Sequence, residues 1–185
     1  MSPKQWQIVS STKDRSYRIF NLRTDLAISP RTGKQHHFFI MESSPWVNII
    51  PLTPQNEVVL VKQYRHGTRD ITLEIPGGLV EASDSPEGAA KRELLEETGY
   101  GASEIVLLGS VHPSPAIQNN VCFTYLAKNV FLSGEQEQDD KEDIQVVLRP
   151  LAEIPGIIQR GEITHALVLA AFYRYFMEYE KKGGI

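Results

Sequence analysis

Three glutamates on one stretch of the chain could together hold a divalent cation. Glu96 and Glu97 lie three and four residues after Glu93, so a helix turning about 100° per residue points all three toward one side. Like charges at this spacing weaken an isolated helix by roughly 0.2–0.5 kcal/mol, whereas a Mg²⁺ ion among them uses the same oxygens as ligands. The cluster therefore predicts metal chemistry, and a solvated helix face is the alternative.

The residues around the glutamates predict the helix that carries them. Ser85 is a suitable N-cap, Pro86 fits the first turn, and Gly99 can end the helix in the left-handed conformation. The helix follows a glycine pair, Gly77 and Gly78. Because glycine has no Cβ, the carbonyl of Gly77 can approach an ion closely, although a plain tight turn would also explain the pair.

The spacing of these residues resembles the Nudix box of the Nudix hydrolases. Five residues separate Gly78 from Asp84, and seven more lead to the run Arg92-Glu93-Leu94-Leu95-Glu96-Glu97-Thr98-Gly99-Tyr100. The match covers the whole motif with one departure, Asp84, which stands where the family has Glu. The resemblance implies an α/β/α sandwich and metal-dependent hydrolysis of a nucleoside diphosphate linked to another group. It leaves the substrate open.

Hydrolysis of a diphosphate requires charge neutralisation, an activated water and positioning. Divalent ions, Mg²⁺ or Mn²⁺, held by Glu93 and Glu97 could neutralise phosphoryl charge and lower the pKa of a bound water. Glu96 is expected to join them as a ligand of a further ion, and we count it among the catalytic residues. Arg92 is expected to orient the carboxylates through a charge-assisted hydrogen bond to Glu96, its i+4 neighbour. An ordinary helix-surface arginine is the alternative.

A second acidic run covers residues 135–143 and carries six acids against one lysine. Its composition alone is typical of a flexible solvated loop. In Nudix enzymes acting on ADP-ribose and its relatives, an acidic loop before the next strand can bring a catalytic base and another metal-binding acid. The resemblance places these roles at Asp140 and Glu142, with Asp140 replacing the usual Glu, so that either residue could be the base and Glu142 could also bind metal.

Two segments resemble the branch of the family that acts on ADP-ribose and nucleoside diphosphate sugars. They are Gln63-Tyr64-Arg65 and Leu73-Glu74-Ile75-Pro76-Gly77-Gly78. Arg65 is expected to clamp the substrate's diphosphate with its planar fork of N–H groups. Glu74 could bind the base or ribose, or pair with an arginine.

Further candidates for substrate binding carry weaker signals. Ser114 begins Ser114-Pro115-Ala116, fifteen residues or so past the box, close to where that branch has a proline. Asn119 belongs to a segment that departs from the branch's glycine-containing loop, and its amide could hydrogen-bond sugar or base edges. Trp46 could stack on a base, although a core or interface position would also suit it.

Composition limits the class of protein. The chain has 185 residues, 41% apolar and 23% charged, and a formal net charge of −4, as expected of an ordinary globular protein without a basic nucleic-acid or membrane surface. The lone cysteine, Cys122, lies in an apolar run and reads as a core residue. The histidines are dispersed, which argues against a zinc site. The absence of a signal-peptide core or a membrane-length apolar stretch makes a cytoplasmic enzyme the default expectation.

The elements that position these residues are predicted to be short strands followed by a sandwich. In residues 1–44, Tyr17–Arg23 and His37–Met41 read as strands of a small antiparallel unit that buries little apolar surface alone. The resemblance to ADP-ribose-type Nudix enzymes implies a homodimer contact there, and packing of the strands on the sandwich of the same chain is the alternative. Residues 45–185 read as mixed strands with a helix on each face, so the expected fold is α/β, a Nudix-type α/β/α sandwich with a mixed sheet.

The leading interpretation is an enzyme that acts on a small-molecule nucleoside diphosphate sugar, with no nucleic acid or membrane as partner. A Nudix hydrolase of dinucleoside polyphosphates or capped RNA ends is the alternative among enzymes, but the net charge of −4 does not favour an RNA channel. A non-catalytic nucleotide sensor would have lost box glutamates, and this chain retains all three.

Overall fold

The computed structural model describes residues 2–138, 141 and 143–179, and its backbone contacts divide the chain into two units. The N-terminal unit contains Met1–Ser44 together with His112–Val121, and the main unit contains Pro45–Val111 and Cys122–Ile185. The sequence did not indicate that 112–121 belongs with the N-terminal strands. The segment joins them because the N–H of Met41 donates to the carbonyl of Ile117 at 2.8 Å.

The N-terminal unit is an antiparallel sheet of β1 (Gln7–Ser16), β2 (Asn21–Ile28) and β3 (Gln35–Glu42), in that order. The strand predicted over Tyr17–Arg23 is wrong in its first half, because Tyr17–Phe20 form the turn between β1 and β2 and the N–H of Tyr17 donates to the Phe20 carbonyl at 2.8 Å. Alternation of apolar residues cannot distinguish a strand from such a turn when both are exposed.

The main unit is built on a mixed sheet. Its described strands are β4 (Trp46–Leu52), β5 (Glu57–Arg65), β6 (Asp70–Glu74), β7 (Gly77–Leu79), β8 (Tyr100–Gly101), β9 (Ile105–Val111), β10 (Cys122–Lys128), β11 (Phe131–Leu132) and β12 (Gln145–Pro150). The order along the sheet is β12-β5-β4-β10-β9, with β6 paired to β5 and β7 paired to β4, while β8 and β11 form a separate short ribbon. Strands β4 and β10 run parallel, and the other pairs are antiparallel.

Helices cover both faces of this sheet. One core packs the apolar side of α1 (Pro86–Thr98) against one face, for example Leu94 against Ile49 and Val59. On the opposite face, α2 (Ile154–Gln159) and α3 (Ala166–Arg174) pack over residues such as Ile50 and Leu60. Adjacent strand residues thus point to opposite cores, as the period of two requires. The α/β/α sandwich with a mixed sheet is confirmed.

The ends of the helices follow local chemistry. The Ser85 Oγ accepts the N–H of Gly88 at 3.0 Å, and Gly99 closes α1 at a φ of 73° with its N–H donating to Leu95. Pro155 occupies the first turn of α2 and does not interrupt it. A π-helical turn, Tyr175–Tyr179, extends α3. Within the described residues, no helix is long and apolar enough to cross a membrane.

Candidate active site

The glycine pair lies in strand β7, directly beneath the acidic helix. An added Cβ on Gly78 would come within 2.5 Å of the Glu93 carboxyl carbon, and one on Gly77 would come within 2.9 Å of the Asn48 Cα on the paired strand β4. Gly77 has no room for a side chain beside the backbone of β4, and a side chain on Gly78 would displace the Glu93 carboxylate. The glycines therefore allow β7 to lie between β4 and the carboxylates of α1, rather than simply forming a tight turn.

Glu97 is the most deeply enclosed of the three glutamates, with 4% of its surface exposed. The main-chain N–H of Gly77 donates to the Glu97 Oε2 at 3.0 Å. A charged side chain is seldom buried unless it is hydrogen-bonded or bound to an ion. This bond fixes one carboxylate of α1 against the backbone of β7.

Arg92 connects the remaining acids of the motif. Its guanidinium donates to the Asp84 Oδ2 at 3.1 Å, the Glu93 Oε1 at 3.0 Å and the Glu96 Oε2 at 2.8 Å, and also to the Leu79 carbonyl at 3.1 Å. Partial burial alone would lower the pKa of Arg92, but the charge of Glu93 and the bonds to Glu96 and Asp84 outweigh it and raise that pKa. Asp84, the one departure from the box, reaches Arg92 despite its shorter side chain.

The donor set fits a hard divalent cation in its chemistry. Carboxylates on one side of α1 lie against the glycines of β7, and a Cβ on Gly78 would occupy the space of the Glu93 carboxylate. Carboxylate oxygens are ligands that suit Mg²⁺. In the described part of the chain, no three His, Cys, Asp or Glu side chains converge closely enough to coordinate an ion together. Arg92 bridges Glu93 and Glu96 instead. The residues that would hold the cation are Glu93, Glu96 and Glu97, together with the Gly77 carbonyl expected from the sequence.

Arg65 and Glu74 form a bidentate ion pair between neighbouring strands. The Arg65 Nε donates to the Glu74 Oε1 at 2.8 Å, and its second nitrogen donates to Oε2 at 2.7 Å. Burial would raise the pKa of Glu74, but the bonds from Arg65 and Thr72 and the charge of His165 lower it. Of the two roles open for Glu74, the structure contains the pairing with an arginine.

The acidic run is attached to the end of α1 through the Gln136 side chain and through the main-chain N–H of Glu137, which donates to the Glu96 carbonyl at 2.9 Å. The Gln136 Nε2 donates to the main-chain carbonyls of Glu97, at 2.6 Å, and Ile144, at 3.3 Å. The Gln138 amide exchanges two bonds with the backbone of Ile144, at 2.9 and 3.0 Å. Gln136 and Gln138 alternate with acids in the sequence, and they were the sequence signal that this run is held in place by hydrogen bonds, which the sequence analysis missed. Asp140 and Glu142 lie outside the described residues.

The other substrate-binding candidates are dispersed over the two units. Trp46 is half-buried at the start of β4 in the main unit. Ser114 and Asn119 belong to the N-terminal unit, where the Ser114 carbonyl accepts two turn N–H groups and the Asn119 Oδ1 accepts the N–H of Ser43 at 3.2 Å. Cys122 is buried, and burial raises the pKa of its thiol to about 12, which suits the predicted core residue.

A glutamate helix packed on a glycine strand within an α/β/α sandwich defines a metal-dependent phosphohydrolase site of the Nudix type. The NUDIX domain model matches residues 43–172, and the chain belongs to this family of hydrolases.

Individual known proteins resemble the chain over most of its length. It is 33% identical to a methanol dehydrogenase activator of Bacillus methanolicus over 167 residues, which cover 88% of this chain and 89% of that protein. It is 28% identical to an ADP-ribose pyrophosphatase of Bacillus subtilis over 135 residues, 72% of this chain and 73% of that protein. A crystal structure of an ADP compounds hydrolase shares the fold, with a TM-score of 0.85 over the whole of both chains at 21% identity.

Proposed function

We propose that this Nudix hydrolase cleaves the diphosphate of ADP-ribose or a related nucleoside diphosphate sugar, releasing a nucleoside monophosphate and a sugar phosphate. The observation that carries the proposal is the presence of Glu93, Glu96 and Glu97 on α1, with Glu97 bonded to Gly77 and Glu93 in contact with Gly78 on β7. Similarity to an ADP-ribose pyrophosphatase over 72% of the chain supports the substrate class.

Each residue has a separate task in this reaction. Glu93, Glu96 and Glu97 would hold Mg²⁺ or Mn²⁺, which when bound supplies charge neutralisation and a water of lowered pKa. Arg92 holds Glu93 and Glu96 at fixed positions through its bonds of 3.0 and 2.8 Å. Arg65, at the end of β5, is the proposed contact to the diphosphate.

The proton-accepting base is proposed to come from the acidic run, at Glu142 or Asp140. The described residues on either side of them support this, because Gln136 is bonded to the Glu97 carbonyl and Gln138 to Ile144. Trp46, Ser114 and Asn119 remain proposed contacts to the base or sugar. The single buried cysteine is typical of proteins in a reducing compartment, and we propose a cytoplasmic enzyme.

We also propose that the enzyme is a homodimer that meets through its N-terminal unit. All ten residues of β1 are exposed, and Trp6, Ile8 and Phe38 form an exposed apolar patch in which the Trp6 ring contacts that of Phe38 at 5.1 Å. Residues 1–44, predicted as a unit for dimer contact, contain this patch. Exposed apolar surface on a small sheet with open edges favours a second copy as its cover.

A substrate panel tests the proposed activity. The protein is incubated with ADP-ribose, several nucleoside diphosphate sugars and a dinucleoside polyphosphate, with Mg²⁺ or EDTA, and phosphatase-releasable phosphate is measured. We expect Mg²⁺-dependent release from ADP-ribose or a sugar nucleotide and none in EDTA. Faster cleavage of the dinucleoside polyphosphate would favour the alternative enzyme class, and no release from any substrate would favour a nucleotide sensor.

A further inference from the structure

The ion pair between Arg65 and Glu74 is not the one that strand pairing alone would produce. In the ladder between β5 and β6, Arg65 lies opposite Asp70, whereas Glu74 lies opposite Val61. Asp70 instead accepts the N–H of its neighbour Ile71 at 2.8 Å. The guanidinium therefore reaches along the sheet to a distant acid although a nearer one is available.

Glu74 is enclosed and its oxygens are occupied. It is 3% exposed, and besides Arg65 its Oε1 accepts the hydroxyl of Thr72 at 2.6 Å. A carboxylate has about four acceptor positions, and three of them here are taken by protein groups. One acceptor position on Oε2 is left, and because only 3% of Glu74 is exposed, little of it is open to a ribose hydroxyl.

The arginine of the pair has the opposite environment. Its side chain is 41% exposed while that of Glu74 is 3% exposed, so the pair joins a buried anchor to a group at the surface. The two bonds to Glu74 fix the plane of the guanidinium and turn its opposite edge away from the anchor. A long side chain that is ordered before binding loses less conformational freedom when a ligand arrives.

We infer that Glu74, held by Thr72, is a positioning residue that fixes Arg65 for the diphosphate of the substrate and does not itself contact base or ribose. The inference rests on the proposed function. It predicts that a change at Glu74 acts only through Arg65. Binding should therefore weaken when Glu74 is altered, and this effect should vanish once Arg65 is removed.

The test is a double-mutant cycle in the full chain, measuring the Kd of ADP by calorimetry and the kcat and KM for ADP-ribose. We expect Glu74→Gln to raise Kd and KM about tenfold with kcat changed less than about threefold, and Arg65→Ala to raise both at least as much. The double variant should match Arg65→Ala alone. Asp70→Asn, which alters the acid directly opposite Arg65, and Glu162→Gln, which alters an exposed arginine pair, should leave all three constants unchanged.

A second variant covers the case in which Glu74→Gln does not fold. Thr72→Val leaves both charges in place and should raise the Kd of ADP a few-fold, again only when Arg65 is present, while Thr72→Ser should restore wild-type binding. If the fold-changes in Kd of the two single variants multiply in the double variant of either cycle, Glu74 or Thr72 acts on the ligand independently of Arg65 and the inference is overturned. A wild-type protein that does not bind ADP would also overturn it. If the double variant binds ADP as Arg65→Ala does, but the wild-type protein hydrolyses no sugar nucleotide, the inference stands and the proposed function is refuted.

Discussion

The carboxylate of Glu93 occupies the space in which a side chain on Gly78 would begin, since an added Cβ would lie 2.5 Å from the Glu93 carboxyl carbon. The contact joins the first glutamate of the box helix to the strand beneath it. The glycine of the motif therefore has a steric function that can be tested separately from any charge.

Gly78→Ala should displace Glu93 without changing the charge of the site. We expect kcat to fall by about 10²-fold, the usual effect of a misplacement near 1 Å at a reacting centre, with Tm lowered because the added methyl overpacks the junction. Gly67→Ala is the matched control, because a Cβ there meets no atom within 4 Å. Wild-type kcat in Gly78→Ala would show that the position of Glu93 does not matter.

Glu97→Gln should remove a charge and keep a hydrogen bond. The amide oxygen can still accept the N–H of Gly77, so we expect a folded protein whose kcat is lower by roughly 10²–10³-fold. Glu87→Gln, on the exposed side of the same helix where Glu87 pairs with Lys91, should retain full activity. Near-native turnover by the Glu97 variant at saturating Mg²⁺ would contradict the metal-cluster assignment.

Gln136→Ala should loosen the attachment of the acidic run to the box helix, leaving in place the main-chain bond from the N–H of Glu137 to the carbonyl of Glu96. It removes the bonds to the carbonyls of Glu97 and Ile144, and at about 1 kcal/mol for a typical bond we expect the free energy of unfolding in urea to fall by about 1–2 kcal/mol. kcat should fall as well if the proposed base lies in this run. The exposed Gln55 provides the control substitution Gln55→Ala, which should change neither quantity.

Stability should depend on pH through Glu74. Because the pKa of Glu74 is lower in the folded state than its usual value, its ion pair stabilises the protein above the unfolded-state pKa of about 4.3, and this contribution is lost as pH falls through the folded-state pKa. We expect wild type to be more stable than Glu74→Gln from about pH 5 to 7 and the difference to shrink at lower pH. The measurement is a urea titration of both proteins across this range. If the ionisation of Glu74 did not affect folding, the difference in their free energies of unfolding would not change with pH.

The apolar patch of Trp6, Ile8 and Phe38 should mediate dimer formation. Light scattering of the wild-type protein should give about twice the chain mass of 20.8 kDa, and Ile8→Asp with Phe38→Asp should give the chain mass because two charges cannot be buried without partners. Lys62→Asp in the main unit is a charge-changing control that should remain dimeric. A wild-type protein that is monomeric at micromolar concentration would refute the proposed assembly.

The sequence by itself determined the motif, its helix and the layers of the fold. Ser85, Pro86 and Gly99 act within a turn of their own positions, and alternating core residues such as Ile49 and Ile50 follow the period of a strand. These features depend on short-range spacing, which can be read directly from the chain. The turn at Tyr17–Phe20 was misassigned because exposed residues carry no burial pattern.

The bond from Arg92 to Glu96 follows from helical spacing, but tertiary structure decided the partners of Glu97 and Arg65. The bond from Gly77 to Glu97 joins residues 20 positions apart, and that from Gln136 to Glu97 joins residues 39 apart. Arg65 could have paired with Asp70 across the ladder, yet it is bound to the buried Glu74. A carboxylate in a low-dielectric interior must find a donor there, whereas an exposed one is satisfied by water, and only the folded chain shows which acid is enclosed.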